Sequence, residues 1–217
     1  MTNLESKPIG PGDYGSCPAC NRQKTDKNWC SKCHPELLLN ENPGWTSGYK
    51  DLDDFIKQTI RDARCSYGYL EWIPFENFKV IKEIGKGGFA TAYLATRTNC
   101  LNVHFTWDVK KKKYFRENYK DYNIALKCFH NKKGIAEAIL HEIKTHHGFM
   151  MRQENGFLHC YGISKNPKTN ELIIVLDYAQ EESDIYQEFK TADENITSED
   201  DNKDEIEFMC KVAKIIS

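Results

Sequence analysis

The sequence has no uninterrupted apolar run near the roughly 20 residues that span a bilayer, and its polar start, MTNLESKPIG, lacks the apolar core of a signal peptide. Both absences predict a chain that works in the cytoplasm or nucleus without a membrane partner. A charge excess is missing too: 30 Lys and Arg stand against 32 Asp and Glu, a net charge of -2. No global field then draws nucleic acid or anionic lipid, and partner choice falls to local sites. Nor is there an even cysteine count. Nine cysteines without an export signal argue against a disulfide framework and for reduced thiols.

What is present fits a packed protein: 217 residues, 40% apolar and 29% charged, enough for a small domain with extensions. Residues 1–16 hold Pro8, Pro11 and three glycines with almost no apolar side chains and read as a flexible leader. Residues 45–77 form a helix and connector. Within Trp45 to Ala63, Leu52, Phe55, Ile56 and Ile60 recur at helical spacing, Thr46 or Ser47 can cap the start, and the stripe is expected to pack on the following domain. From Phe78 the period changes to that of strands: FKVIKEIG, ATAYLAT and YNIALKCF, then a helix over Ile135 to His146, then FLHCYGI and ELIIVLDYA around a turn at Asn166, Pro167 and Lys168. This order predicts an α+β unit over 78–180, a five-stranded antiparallel sheet with one helix. Residues 97–121 read as a surface hairpin carrying Trp107 and the solvated run Lys110 to Lys113. Between Glu181 and Glu207 twelve acidic residues face only Lys190 and Lys203, which reads as a solvated linker. The last stretch, 206–216, has helical apolar spacing, so 181–217 is an acidic linker and the start of a further helix.

Four cysteines form a spaced cluster within residues 17–44. Cys17 and Cys20 make one CxxC, Cys30 and Cys33 another, with nine residues between the pairs. Each tight turn aims two thiolates at one point, and two turns complete a tetrahedral site about 2.3 Å from zinc. The short spacer predicts a compact knuckle whose zinc is structural, since four thiolates close the coordination shell and leave His34 out. With few apolar residues beyond Trp29, the segment should depend on metal to fold. Arg22, Lys24, Lys27 and Lys32 around an exposed Trp29 would suit single strands. A protein contact or a purely structural role is the stronger expectation, so nucleic acid is not expected as a partner, whereas protein partners are.

A second motif lies between two predicted strands: Ile84, Gly85, Lys86, Gly87, Gly88, Phe89, Ala90. Glycines there let backbone amides approach phosphate oxygens closely. A strand, not a helix, follows, which argues against a dinucleotide fold. Ile124, Ala125, Leu126 and Lys127 come next. Alternation puts Ala125 and Lys127 on one face and Leu126 on the other, and Glu142 follows on the helix EAILHEIKTHH. In this order the residues resemble the glycine-rich loop, the VAIK strand and the partner glutamate of eukaryotic protein kinases, and more particularly of the tyrosine-kinase-like group. The resemblance covers roughly Phe78 to Ala179, the small lobe of that domain.

The resemblance implies ATP as ligand. Lys127 would orient the α and β phosphates, Glu142 would hold Lys127, and Gly85 to Ala90 would cover them. Ile84, Ala92, Ala125 and Leu176, the last at the gatekeeper position, would line the slot for the base, and the backbone of Asp177, Tyr178 and Ala179 would meet the adenine edge. Ala90 replaces the third loop glycine, Ala92 a customary valine, and His146 an apolar residue one turn after Glu142. A full-length parent would be a signalling transferase that, with magnesium, moves the γ phosphate of ATP to a Ser, Thr or Tyr hydroxyl of a protein. HRD, DFG and APE are all missing, with no glycine after Gly162 and no proline after Pro167. The large lobe is therefore expected to be absent apart from its first helical segments. No catalytic aspartate or metal-binding asparagine can be placed, so a chain of this extent is expected to be inactive as it stands: a truncated kinase or a non-catalytic interaction or decoy module.

Overall fold

A computed structural model of the chain describes residues 14–130, 134–152 and 159–178. The expected leader up to residue 13, Ala179, the acidic linker and the terminal helix lie outside them. Among the described residues are three α-helices, α1 (Cys33–Glu41), α2 (Lys50–Asp62) and α3 (Ile135–Arg152), and eight strands: β1 (Glu71–Trp72), β2 (Phe78–Lys86), β3 (Ala90–Arg97), β4 (Leu101–Asp108), β5 (Lys113–Asn118), β6 (Tyr122–Phe129), β7 (Cys160–Lys165) and β8 (Leu172–Asp177). The architecture is α+β.

Strands β2, β3, β6, β8 and β7 pair antiparallel in that spatial order. The sheet is nonetheless six-stranded and mixed, in contrast to the expected five antiparallel strands, because β1 pairs parallel with β7 at its edge. Gly162 makes this pairing feasible. Its φ is +145°, and a Cβ built there would lie 1.9 Å from the Glu71 carbonyl oxygen, so only glycine admits the β1 backbone.

Strand periodicity sorts the inner side chains onto two faces. Ala125 and Phe129 of β6 join Leu172, Ile174 and Leu176 of β8 beneath α3, against Ile139 and Ile143. The intervening Ile124 and Leu126, with Ile173 and Val175, turn to the other face and pack on Phe78, Ala95 and Ile73. Both faces are covered, which explains the nearly continuous apolar runs of β6 and β8.

Helix α2 begins at Lys50, later than the expected Trp45, and its N-cap is Tyr49 with no side-chain cap bond. Thr46 and Ser47 do not cap it. Asp53, inside the helix, reaches back instead and accepts the Ser47 N–H at 2.8 Å and the Ser47 and Thr46 hydroxyls. These bonds fix the tight approach to the helix. Leu52 and Ile56 then enter the sheet core, while Ile60, one turn on, enters a separate cluster with Trp29, Leu38, Ala63, Tyr69 and Phe105. Helix α3 continues past the expected His146 to Arg152, and its buried face carries Ile139, Glu142, Ile143, His146 and Phe149.

Strands β4 and β5 pair as the expected hairpin, but it is more than a surface excursion. Phe105 is buried in the cluster around Trp29, and Tyr114 packs against it.

Candidate functional site

The four cysteines converge. Sγ atoms of Cys17, Cys20, Cys30 and Cys33 all lie within 4.8 Å of one another. Two of the separations are 3.8 Å (Cys17 to Cys33) and 3.6 Å (Cys20 to Cys30). Four sulfurs about 2.3 Å from a central ion at tetrahedral angles would be roughly 3.8 Å apart, so these two pairs already stand at ligating separation. A disulfide needs S–S near 2 Å and is excluded at these separations. Burial alone would raise the Cys17 thiol. The hydrogen bond with Tyr114 and those from the Cys20 and Ala19 backbone overcome it and bring the group to about 6. Burial raises the Cys30 and Cys33 thiols instead, so a metal would have to displace their protons.

His34 stays out of the ligand set. Its Nδ1 accepts the Cys30 N–H at 3.1 Å, and its ring stacks on Phe105 at 4.5 Å. Burial, with Lys24 assisting, lowers His34 to about 4, so it is a neutral packing element. Trp29 departs from the expectation of an exposed ring. It is 0% exposed, its Nε1–H donates to the Ala63 carbonyl at 2.9 Å, and it stacks on Tyr69. The basic residues of the knuckle therefore have no exposed Trp29 ring on which a base could stack. From the hairpin, the Tyr114 hydroxyl lies 3.3 Å from Cys17 Sγ, a contact across the long sequence gap that periodicity cannot reveal.

The second constellation lies under α3. Lys127 Nζ is 2.7 Å from Glu142 Oε1, with side chains 11% and 7% exposed. The pair forms because β6 turns Lys127 to the face that α3 covers and the helical period turns Glu142 inward beside Ile139 and Ile143. Burial raises the Glu142 carboxyl while Lys127 opposes the shift. His146, one turn on, is buried and lowered to about 4, by burial first and then by Lys127. A neutral imidazole thus packs where a charged one would repel the lysine.

Ala92 lies opposite Lys127 across β3 and β6, and Ala125 lies opposite Leu176 across β6 and β8. Ala90, Ala92, Ala125 and Leu176 are buried, and Ile84 is half-buried against the sheet core. The segment Gly85 to Ala90 folds back as the β2–β3 turn, with the Gly87 N–H donating to the Ala90 carbonyl at 2.8 Å. Phe89 at its tip is 70% exposed, and Lys86 is exposed. A Cβ at Gly88 would meet nothing within 4 Å, and one at Gly87 only the Ala90 carbonyl at 3.7 Å. The fold itself does not demand glycine at either position. On β8, the Asp177 N–H donates to the His159 carbonyl at 2.8 Å and the Tyr178 N–H to Asp177 Oδ1 at 3.0 Å. Both donors of this stretch are already engaged.

A third cluster has no signature in the sequence, because its members read singly as solvated charges. Glu71 Oε2 pairs with Arg97 at 2.8 Å and Oε1 with Arg116 at 2.9 Å. Arg116 also donates from Nε to Glu41 at 3.0 Å, and Arg97 to the Tyr122 hydroxyl at 3.1 Å. Burial would raise Glu71, but Arg116 and then Arg97 overcome it and hold the carboxyl below its usual range.

Comparison with known proteins finds no matching family model and no matching curated sequence.

Proposed function

We propose that residues 78–180 are the ATP-binding small lobe of a protein-kinase-like domain of the tyrosine-kinase-like group, and that the four cysteines hold a structural zinc. The reading is carried by one observation: a buried lysine on an inner strand lies 2.7 Å from a glutamate of the adjacent helix, beside a glycine-rich turn. In that role Lys127 positions the α and β phosphates and Glu142 keeps its ammonium in place. The turn supports it independently, because Gly87 and Gly88 leave room that the chain does not use, as close approach of a ligand would require. Admission of a base requires the cover over Ala92, Ala125 and Leu176 to yield. The adenine edge must then be met by groups other than the N–H donors of Asp177 and Tyr178.

A full-length parent would transfer the γ phosphate of ATP to a protein hydroxyl with magnesium. In that parent Lys127, Glu142 and the glycine turn would hold and orient ATP, while the aspartate that receives the substrate proton would belong to the other lobe. For the zinc, the 3.6 and 3.8 Å sulfur separations support a closed tetrathiolate site.

The test is thermal denaturation of the metal-loaded chain with ATP or a non-hydrolysable analogue, with and without magnesium. The expected outcome is a stabilisation that grows with ligand concentration and is lost in Lys127→Met. No shift at ligand concentrations up to millimolar, or the same shift in the variant, would refute the nucleotide reading.

A further inference from the structure

A tetrathiolate centre has charge to disperse. Four thiolates around one divalent ion leave two negative charges on the sulfurs, and here Cys17 and Cys30 are each only 1% exposed. Water can do little for these two sulfurs, so the protein has to supply the donors. The two turns supply some of them: the N–H groups of Ala19 and Cys20 donate to Cys17, and those of Lys32 and Cys33 to Cys30.

Cys17 has a further partner of another kind. The Tyr114 hydroxyl, 97 residues along the chain, stands 3.3 Å from its sulfur, and without metal either atom can donate. A ligating sulfur carries no proton. In a loaded centre only the phenol can donate, and the sulfur accepts. Such a bond draws charge off the sulfur, which makes the bound thiolate less nucleophilic and the anionic cluster less costly to bury.

Packing holds the ring where this bond requires it. Tyr114 lies opposite Trp107 in the β4–β5 register, and its ring meets Trp107 at 5.0 Å and His34 at 4.5 Å, both edge to face. His34 in turn accepts the Cys30 N–H at 3.1 Å through Nδ1. Contacts from the hairpin and from the knuckle thus position one phenol oxygen beside one sulfur.

We propose that Tyr114 is an outer-sphere partner of the metal centre: its hydroxyl donates to the Cys17 thiolate, tightening metal binding and quenching that sulfur as a nucleophile. The inference rests on the four-cysteine metal reading and is independent of the nucleotide reading. It makes the β4–β5 hairpin a working part of the metal centre, so that displacing the hairpin weakens the hold on the ion.

The test uses the full chain loaded with cobalt(II), whose sulfur-to-metal charge-transfer band reports electron density on the ligands, and with zinc in competition with a chromophoric chelator. Tyr114→Phe keeps the ring and deletes the hydroxyl. Tyr69→Phe is the control, because it removes another hydroxyl beside the same ring cluster, one that bonds Glu71 at 3.4 Å and no sulfur. The parent chain should give a four-sulfur spectrum. In Tyr114→Phe zinc should bind about ten-fold more weakly, the band should move to longer wavelength, and iodoacetamide should alkylate Cys17 of the zinc-loaded chain faster than in the parent. Tyr69→Phe should leave the band and the alkylation of Cys17 unchanged. A parent chain that takes up no cobalt overturns the metal reading and this inference with it. A parent that loads, with the Tyr114→Phe band at the parent position or an equal loss of zinc affinity in Tyr69→Phe, overturns the inference alone.

Discussion

Around Trp29 the chain builds a core from rings contributed by distant segments, whereas beneath α3 it builds one from aliphatic side chains on adjacent strands and a single helix. The first contains Trp29, Tyr69 and Phe105 with His34 stacked at its edge; the second contains Ile139, Ile143, Ile163 and Ile174. Strand pairing alone assembles the sheet core. The ring core forms only when the knuckle, the end of α2 and the hairpin meet, and the cysteine cluster sits at that meeting point through the contact of Tyr114 with Cys17. Charge is treated differently as well: a single buried pair under α3, and a balanced network of four beside the knuckle. The four-cysteine cluster thus stands where the segments of the smaller core meet, while α2 contributes to both cores.

Removing the metal should break this comparison most severely. Ligation contributes on the order of 10 kcal/mol in isolated knuckle peptides, so a chelator should expose Trp29, seen as a red-shifted emission absent from a Trp29→Phe control. The β-sheet circular dichroism should persist. Simultaneous loss of both signals would show that the two cores fold as one unit and that the contrast is false.

A smaller effect is expected from Glu71→Gln. The substitution leaves two guanidiniums without their shared carboxylate and should cost about 3 kcal/mol by urea denaturation. The double variant Glu71→Gln with Arg97→Gln should recover part of that loss. A cost below about 1 kcal/mol would mean that the network is solvated like a surface pair.

Smaller again at neutral pH is the His146 effect, which appears on acidification. Folding lowers this imidazole from 6.5 to about 4, so the unfolded chain binds its proton first. The stabilisation is complete above pH 6.5 and lost as pH falls toward 4, worth roughly 3 kcal/mol at full extent. Between those limits a His146→Leu variant should lose less stability than the parent chain. Parallel pH profiles would show that the imidazole beside Lys127 and Glu142 is accessible to protons.

Periodicity made the sheet side legible. Alternation along IALK separated Ala125 and Lys127 from Leu126, and a helical stripe marked Leu52, Ile56 and Ile60. Strand β1 left no such trace, because two residues cannot show a period and the pairing depends on Gly162 in another segment. The knuckle was legible as a ligand set from its two CxxC turns, yet not as a partner of the hairpin, since Phe105 and Tyr114 reach it through long-range contacts. Trp29 among basic residues reads equally well as an exposed ring and as a buried one; only the Ala63 carbonyl and Tyr69 ring distinguish them. Glu41, Glu71, Arg97 and Arg116 each resemble ordinary surface charges, and their pairing is a property of the tertiary fold. His146 reads as a polar intrusion into an apolar position, whereas burial makes it neutral.

We propose that Lys127 and Glu142 form part of a nucleotide cleft roofed by the β2–β3 turn. Hydrogen–deuterium exchange of the metal-loaded chain, with and without a magnesium-free ATP analogue, tests it most directly. The account predicts slowed exchange over 84–92 and 124–127, absent in Lys127→Met. Protection confined to the knuckle, or no change near the glycine turn at saturating ligand, would contradict it.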